Sequence, residues 1–130
     1  MTVTESQEIA GTSAEGKIIS YCPRGEAFPL PDETAYTTEN RRLQDLVAKQ
    51  RALDRQIVVV MGVGFVGSVM AGVIADAVQP DTGQPLYYVI GMQRPSPRSF
   101  WKIPYLNRGV APVEAEDPEV EPLIRRCVLD

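Results

Sequence analysis

Histidine is absent from the sequence. This absence excludes a histidine general acid or base, a histidine-assisted nucleophile, and every metal site whose ligands include imidazole. Cysteine is scarce as well: Cys22 and Cys127 lie far apart and form no C-x-x-C pair. Two such thiols cannot build a structural zinc site or a disulfide scaffold. The sequence therefore predicts no metal site and two reduced thiols in a reducing compartment.

The first eight residues also lack what a secretory signal needs. They are polar and acidic, with neither a basic n-region nor an apolar h-region. We therefore expect a cytoplasmic protein.

Basic residues are outnumbered, with 13 Lys and Arg against 17 Asp and Glu and a pI near 4.9. A general nucleic-acid binder normally carries a basic face, so this balance argues against nucleic acid as a partner. The length of 130 residues and the 44% hydrophobic content fit one soluble globular domain.

The chain before residue 56 has no clear functional motif. Residues 1–16 are small, polar and acidic, which predicts a mobile tail. Residues 17–55 form an extension with a β-prone run at 17–22, then prolines and a glycine that exclude regular structure until about Asp32. An amphipathic helix is predicted over residues 39–53, with Thr37 and Thr38 as candidate N-caps. Packing on a sheet is its expected role, and binding a partner is the alternative.

Residues 56–130 contain the pattern that determines the predicted fold. A β-branched run at 57–61 predicts a strand buried on both faces of a parallel sheet. A glycine-rich turn follows, then apolar residues at helical spacing over 66–77 and a second strand at 86–90. The residues that the turn offers to a cofactor are Gly62, Val63, Gly64, Phe65, Val66 and Gly67.

This G-x-G-x-x-G pattern has a physical purpose at a strand-to-helix turn. Gly62 permits a tight turn that a Cβ would obstruct, Gly64 allows close approach of a pyrophosphate, and Gly67 allows the helix to pack on the strand. The N–H groups of Phe65, Val66 and Gly67 and the helix dipole would then receive the phosphates.

Two other interpretations of this segment stay open. The turn could be a packing device that binds nothing. Residues 57–75 also have Ser68 as their only polar residue, which meets the length of a membrane span. Glycine disfavours the interior of a helix by up to about 1 kcal/mol per residue, and the spacing provides no G-x-x-x-G pair. We therefore favour the phosphate turn and predict no membrane association.

The end of the second strand departs from the ordinary dinucleotide-binding pattern. An acidic residue that grips the ribose hydroxyls is expected there, and Gln93 takes its place. An amide hydrogen-bonds a hydroxyl without the strength of a carboxylate, while Arg94 and Arg98 could meet a 2′-phosphate. Gln93 and Arg94 are therefore candidate cofactor contacts, and both NAD and NADP stay open. Two solvated loop arginines are the alternative.

The chain resembles the N-terminal part of the UDP-glucose/GDP-mannose dehydrogenase family, the nucleotide-sugar dehydrogenases. Its turn is similar to the family's G-x-G-[YF]-V-G, and residues 106–112 match the family's L-N-x-G-x-x-P segment. Asp117 and Pro118 stand where the family tends to have Glu-Pro-Gly-Leu before a helix. The resemblance covers about residues 56–125.

The resemblance implies a partial Rossmann-like α/β fold: the first β-α-β of a doubly wound parallel sheet, preceded by the extension. It also implies an NAD-dependent oxidation of a UDP- or GDP-sugar C6 alcohol to the uronate, through a thioester on a catalytic cysteine, in polysaccharide biosynthesis. The family's cysteine motif is absent, and Cys127 lacks its flanking residues. We therefore expect a truncated, inactive portion with no catalytic residue of its own.

Two further expectations follow from this incompleteness. A sugar nucleotide would bind only together with missing downstream domains, so the dinucleotide is the expected ligand of this chain. A sheet that stops before its third strand would leave an open edge, which invites self-association. The alternative function is a stand-alone dinucleotide-binding or regulatory module without catalysis.

Overall fold

The computed structural model describes residue 16 and residues 18–128, so residues 1–15 of the predicted tail at 1–16 lie outside the described residues. The strands are β1 (Ile19–Tyr21), β2 (Ala27–Pro29), β3 (Gln56–Met61) and β4 (Tyr87–Met92). The helices are α1 (Glu33–Ala52), α2 (Phe65–Ala75), α3 (Lys102–Asn107) and α4 (Val120–Cys127).

The predicted partial Rossmann-like α/β fold is confirmed by the unit that β3, α2 and β4 form. β3 and β4 are parallel neighbours, in register from Gln56 opposite Tyr87 to Met61 opposite Met92. α2 follows β3 directly and makes the crossover to β4. Parallel neighbours require such a crossover connection, because a tight hairpin turn joins antiparallel strands only.

The expected burial of β3 on both faces is wrong. Val60 is buried, but Val59 is 49% and Met61 75% exposed. In the described part of the chain, β3 has β4 as its one sheet neighbour. A strand is enclosed on both faces only when neighbouring strands and helices surround it, so half of this apolar run remains exposed.

The segment that was long enough to span a membrane is divided in the structure. Residues 57–75 contribute to β3, the glycine turn and α2. Within the described residues, no helix has both the length and the apolar character that crossing a membrane requires.

The proline-containing extension is more regular than its sequence predicts. β2 lies within the stretch expected to lack structure and pairs antiparallel with β1, from Ile19 opposite Pro29 to Tyr21 opposite Ala27. Pro29 is the last residue of β2, and a two-stranded ribbon consists of edge strands, where a proline without an N–H group is tolerated.

This β1–β2 hairpin is attached to the chain that leads into α3. The hydroxyl of the fully buried Ser20 donates to the Pro97 carbonyl (2.7 Å) and accepts the Trp101 N–H (3.0 Å). Cys22, Phe28 and Trp101 form a buried cluster, with Tyr105 edge-on to the Trp101 ring at 5.1 Å. The extension therefore packs on residues 97–105.

α1 starts earlier than predicted. Its N-cap is Asp32, whose carboxylate accepts the Ala35 N–H at 2.8 Å. The predicted caps Thr37 and Thr38 lie inside the helix, where their hydroxyls donate to carbonyls one turn earlier. Aspartate is among the strongest N-cap residues, which explains why the helix begins there.

The two C-terminal helices are short. α3 ends before Gly109, which has the φ of +74° that a helix-terminating glycine adopts. α4 packs against α2, where a Cβ on Gly72 would lie 3.2 Å from Leu123. Arg126 of α4 forms a bidentate ion pair at 2.9 Å with Asp76, the C-cap of α2, and so joins these two helices.

We predict that Ser20→Ala lowers the free energy of unfolding by about 1–3 kcal/mol, because it leaves a buried N–H and a carbonyl without their partner. Urea unfolding measures the loss. Thr38→Ala removes an exposed hydroxyl and is the matched control, with an expected change within about 0.5 kcal/mol. Equal stabilities of the two variants would contradict the role of Ser20.

Candidate functional site: the glycine turn

The first glycine of the turn is required for its backbone conformation. Gly62 has a φ of +86°, which residues with a side chain rarely adopt. Its N–H donates to the Met92 carbonyl at 2.7 Å, so the first residue of the turn is still hydrogen-bonded to β4. Beyond the adjoining residues, a Cβ at Gly62 would meet no atom within 4 Å. The constraint is therefore φ: the obstruction by a Cβ that the sequence predicts is local, against the neighbouring backbone of the turn.

The third glycine is required for space. A Cβ on Gly67 would overlap the carbonyl oxygen of Gly62 and lie 2.8 Å from its carbonyl carbon. Both atoms belong to the backbone of the turn, so no side-chain rotation can relieve this overlap. The first turn of α2 thus lies directly against the end of β3, as the sequence predicts.

The start of α2 leaves its N–H groups open to a ligand. Gly64 is the N-cap and has no side chain that could accept them, and the first turn contains no acidic residue. The N–H groups of Phe65, Val66 and Gly67 have no carbonyl one turn earlier within the helix. Phe65 and Val66 are 59% and 67% exposed. This arrangement can receive an anion through backbone donors and the helix dipole.

The end of β4 supports the turn from the other side. The N–H of the fully buried Val63 donates to the Gln93 side-chain carbonyl at 2.9 Å. Gly91 makes room for Val63, since a Cβ there would lie 2.7 Å from the Val63 side chain. The side-chain carbonyl of Gln93 is thus used within the protein.

The structure brings most of the candidate residues together. Residues 62–67 and Gln93 meet at the carboxyl ends of β3 and β4, where open α/β sheets bind their ligands. Arg94 follows Gln93 and is exposed. Arg98 lies in the segment before α3, and its carbonyl accepts the Trp101 indole N–H.

Sequence reasoning missed Lys102, the first residue of α3. Its ammonium nitrogen lies 3.9 Å from where a Gly64 Cβ would be. Lys102 lines an open groove of about 670 Å³ that also includes the glycine turn, Gln93, the edge of β3 and the Met70 and Ile74 side chains of α2. No local signal marks Lys102, because its position depends on how α3 packs.

Neither thiol belongs to this groove. Cys22 directly follows β1, is fully buried, and accepts hydrogen bonds from the Tyr105 hydroxyl (3.0 Å) and the Glu26 N–H (3.3 Å). Burial raises the pKa of the Cys22 thiol, but these hydrogen bonds outweigh it and leave the pKa below its ordinary value. Cys127 lies on α4, and burial raises its pKa.

Metal chemistry has no candidate site in the part of the chain that the structure describes. Residues 16 and 18–128 contain no group of three cysteine, aspartate or glutamate side chains placed to hold a metal ion.

We predict that Gly67→Ala destabilises the protein by about 1–3 kcal/mol or more, because its methyl group is forced into a backbone carbonyl. Gly64→Ala is the matched control. Gly64 has a φ of −74°, and its Cβ would contact only the flexible end of Lys102. Thermal unfolding compares the two. Equal melting temperatures would contradict the close approach of α2 to β3.

Comparison with known proteins identifies one relevant likeness. No family model and no curated protein matches the chain. A solved structure, the NDP-N-acetyl-D-galactosaminuronic acid dehydrogenase from Methanosarcina mazei Go1, is 39% identical over 62% of this chain, with a TM-score of 0.49. This chain spans 15% of the length of that dehydrogenase. That protein's name is that of a nucleotide-sugar dehydrogenase, the kind of protein that the chain resembles in sequence.

Proposed function

We propose that this chain is the NAD-binding N-terminal portion of a nucleotide-sugar 6-dehydrogenase, which oxidises the C6 alcohol of a UDP- or GDP-sugar to the uronate. The observation that carries the proposal is the turn between β3 and α2. It combines a left-handed glycine, a glycine with no room for a Cβ, and an uncapped helix start. The 39% identity to an NDP-sugar dehydrogenase supports the same function.

The residues present fit a dinucleotide. Gly64 leaves open space above the turn, so a pyrophosphate can approach the backbone, and Phe65, Val66 and Gly67 offer N–H donors to its oxygens. In this proposal the NH₂ group of Gln93 donates to a ribose hydroxyl, because the side-chain carbonyl already accepts the Val63 N–H. When bound, the dinucleotide supplies hydride acceptance, while this chain holds and orients it.

The cofactor we propose is NAD, as in the family that the chain resembles. A carboxylate at position 93 would repel a 2′-phosphate, but Gln93 carries no charge. Arg94, next to it and exposed, would attract one. These two residues are compatible with NADP as well, and titration with both reduced cofactors separates them.

The chain contributes cofactor binding and no catalytic group in this proposal. Both thiols lie away from the groove, so neither is placed to form a thioester with a substrate held there. The thiolate and the sugar site would come from parts of a longer protein. The second candidate is a stand-alone dinucleotide-binding or regulatory module without catalysis. The positions of the thiols favour it as well, because neither lies in the groove.

We predict that the 130-residue chain binds NADH and that Gly64→Val abolishes this binding, because the valine side chain occupies the space of the pyrophosphate. Fluorescence titration with NADH measures the affinity, and thermal unfolding verifies that the variant is folded. Ala48→Val adds similar volume on the exposed surface of α1 and is the matched control. Unchanged affinity in Gly64→Val, or no binding by the unmodified chain, would contradict the proposal.

We also propose that the open edge of β3 supports self-association, because Val59 and Met61 expose apolar side chains beside an unpaired strand edge in the described part of the chain. Sedimentation velocity should show a mass that rises with concentration above 14.3 kDa. Val59→Lys should reduce this rise, and Leu53→Lys, at an exposed position at the end of α1, should not. A monomer at every concentration would refute the idea.

A further inference from the structure

The long helix of the extension, α1, has little of its surface buried in the described part of the chain. It packs against β3, and Gln50 near its C-terminal end is buried and accepts a hydrogen bond from the Arg55 guanidinium. Residues 33–42, in contrast, are exposed at every position. A free helix shorter than about 12–15 residues is marginal in water, because most helical stability in proteins comes from packing. The first half of α1 therefore has a face that another helix could stabilise.

An apolar seam runs along this helix, formed by Tyr36, Leu43 and Val47. Their spacing of i, i+7 and i+11 places them on one helix face. Tyr36 is 48% exposed, and Leu43 and Val47 are half-buried. Leu43 and Val47 border a shallow groove of about 440 Å³, and every described residue that lines this groove belongs to α1. The described part of the chain thus supplies no second wall for the seam.

The charges beside the seam fit a copy of the same helix that runs in the opposite direction. Glu33 and Arg51 are exposed at opposite ends of α1, and the 18 residues that separate them make five turns, so both lie on one side of the seam. No ion pair among residues 18–128 includes either of them. In an antiparallel pair centred on residue 42, Glu33 of each copy stands opposite Arg51 of the other. A parallel pair would instead bring like charges to the same level.

The rest of the seam matches in the same register. Tyr36 of one copy lies opposite Val47 of the other, so apolar side chains meet at both ends of the contact. Asn40 of one copy stands opposite Gln44 of the other, and two carboxamides can exchange hydrogen bonds because each is both donor and acceptor. A two-fold axis repeats every one of these contacts, as in most homodimers.

We propose that α1 docks a second copy of this chain through an antiparallel pairing of the two α1 helices. This interface is separate from the edge of β3 and from the glycine turn, so the inference goes beyond the proposed function and does not depend on it. A helix of 20 residues is about 30 Å long, which places the contact at the small end of specific interfaces. We therefore expect a reversible dimer.

The test is sedimentation velocity of the full 130-residue chain with Val59→Lys, which removes the contribution of the β3 edge. A reversible equilibrium between 14.3 kDa and twice that mass is expected. Glu33→Arg and Arg51→Glu should each weaken the dimer by about tenfold, because each replaces two ion pairs with two like-charge pairs. Asp45→Arg and Lys49→Glu make the same changes of charge at exposed positions on the far side of α1 and should leave the dimer unchanged.

A mixture of the two weakened variants tests the antiparallel register directly. Glu33→Arg and Arg51→Glu each repel themselves, but in a mixed dimer two basic side chains of one chain face two acidic side chains of the other. We expect the mixed dimer to recover at least the affinity of the parent chain, while a mere loss of helix stability would not recover on mixing. Circular dichroism verifies that both variants keep their helix content.

The remaining outcomes would overturn the proposal. A parent chain that is monomeric at every concentration refutes the dimer, and a dimer that neither charge reversal weakens refutes α1 as its interface. Weakening by both variants without recovery in the mixture refutes the antiparallel register. The mixing experiment is repeated without Val59→Lys, so its result does not depend on that substitution. NADH affinity, measured separately, decides the proposed function and has no bearing on this one.

Discussion

The contact of Gly67 with the carbonyl of Gly62 is the constraint on which the rest of the site depends. It is a backbone-to-backbone approach that a Cβ would prevent. Because the helix starts against the end of β3, its uncapped first turn borders the groove that Gly64, Val66 and Gly67 line. The same approach sets α2 on the β3–β4 pair, so the packing of the unit and the position of the helix start have one common cause.

A second set of contacts gives the extension a role in the same site. Ser20 joins residues distant in sequence, Pro97 and Trp101, through one buried hydroxyl. Cys22 and Phe28 complete the cluster that encloses Trp101. A shift of the hairpin would move the start of α3, so the position of Lys102 depends on the hairpin. The β-α-β unit and the extension therefore act as one framework around the groove.

The β-α-β unit was predictable because its signals are local. A β-branched run, three glycines at fixed spacing and a helical apolar pattern each act within a few residues, and the structure has them in the expected order. Other expectations were wrong for identifiable reasons. Asp32 caps α1 more effectively than Thr37 or Thr38, and Pro29 fits the end of a ribbon strand. The burial of β3 was overestimated because burial depends on neighbours.

The sequence by itself determined the secondary structure of residues 56–92, the glycine turn and the family that the chain resembles, since backbone conformation and helical periodicity are encoded locally. Only the tertiary structure decided which polar groups meet at that turn. Gln93 uses its carbonyl to bind Val63, and Lys102 reaches Gly64 because the hairpin fixes α3. Such contacts join residues tens of positions apart, and they are set by packing rather than by local pattern.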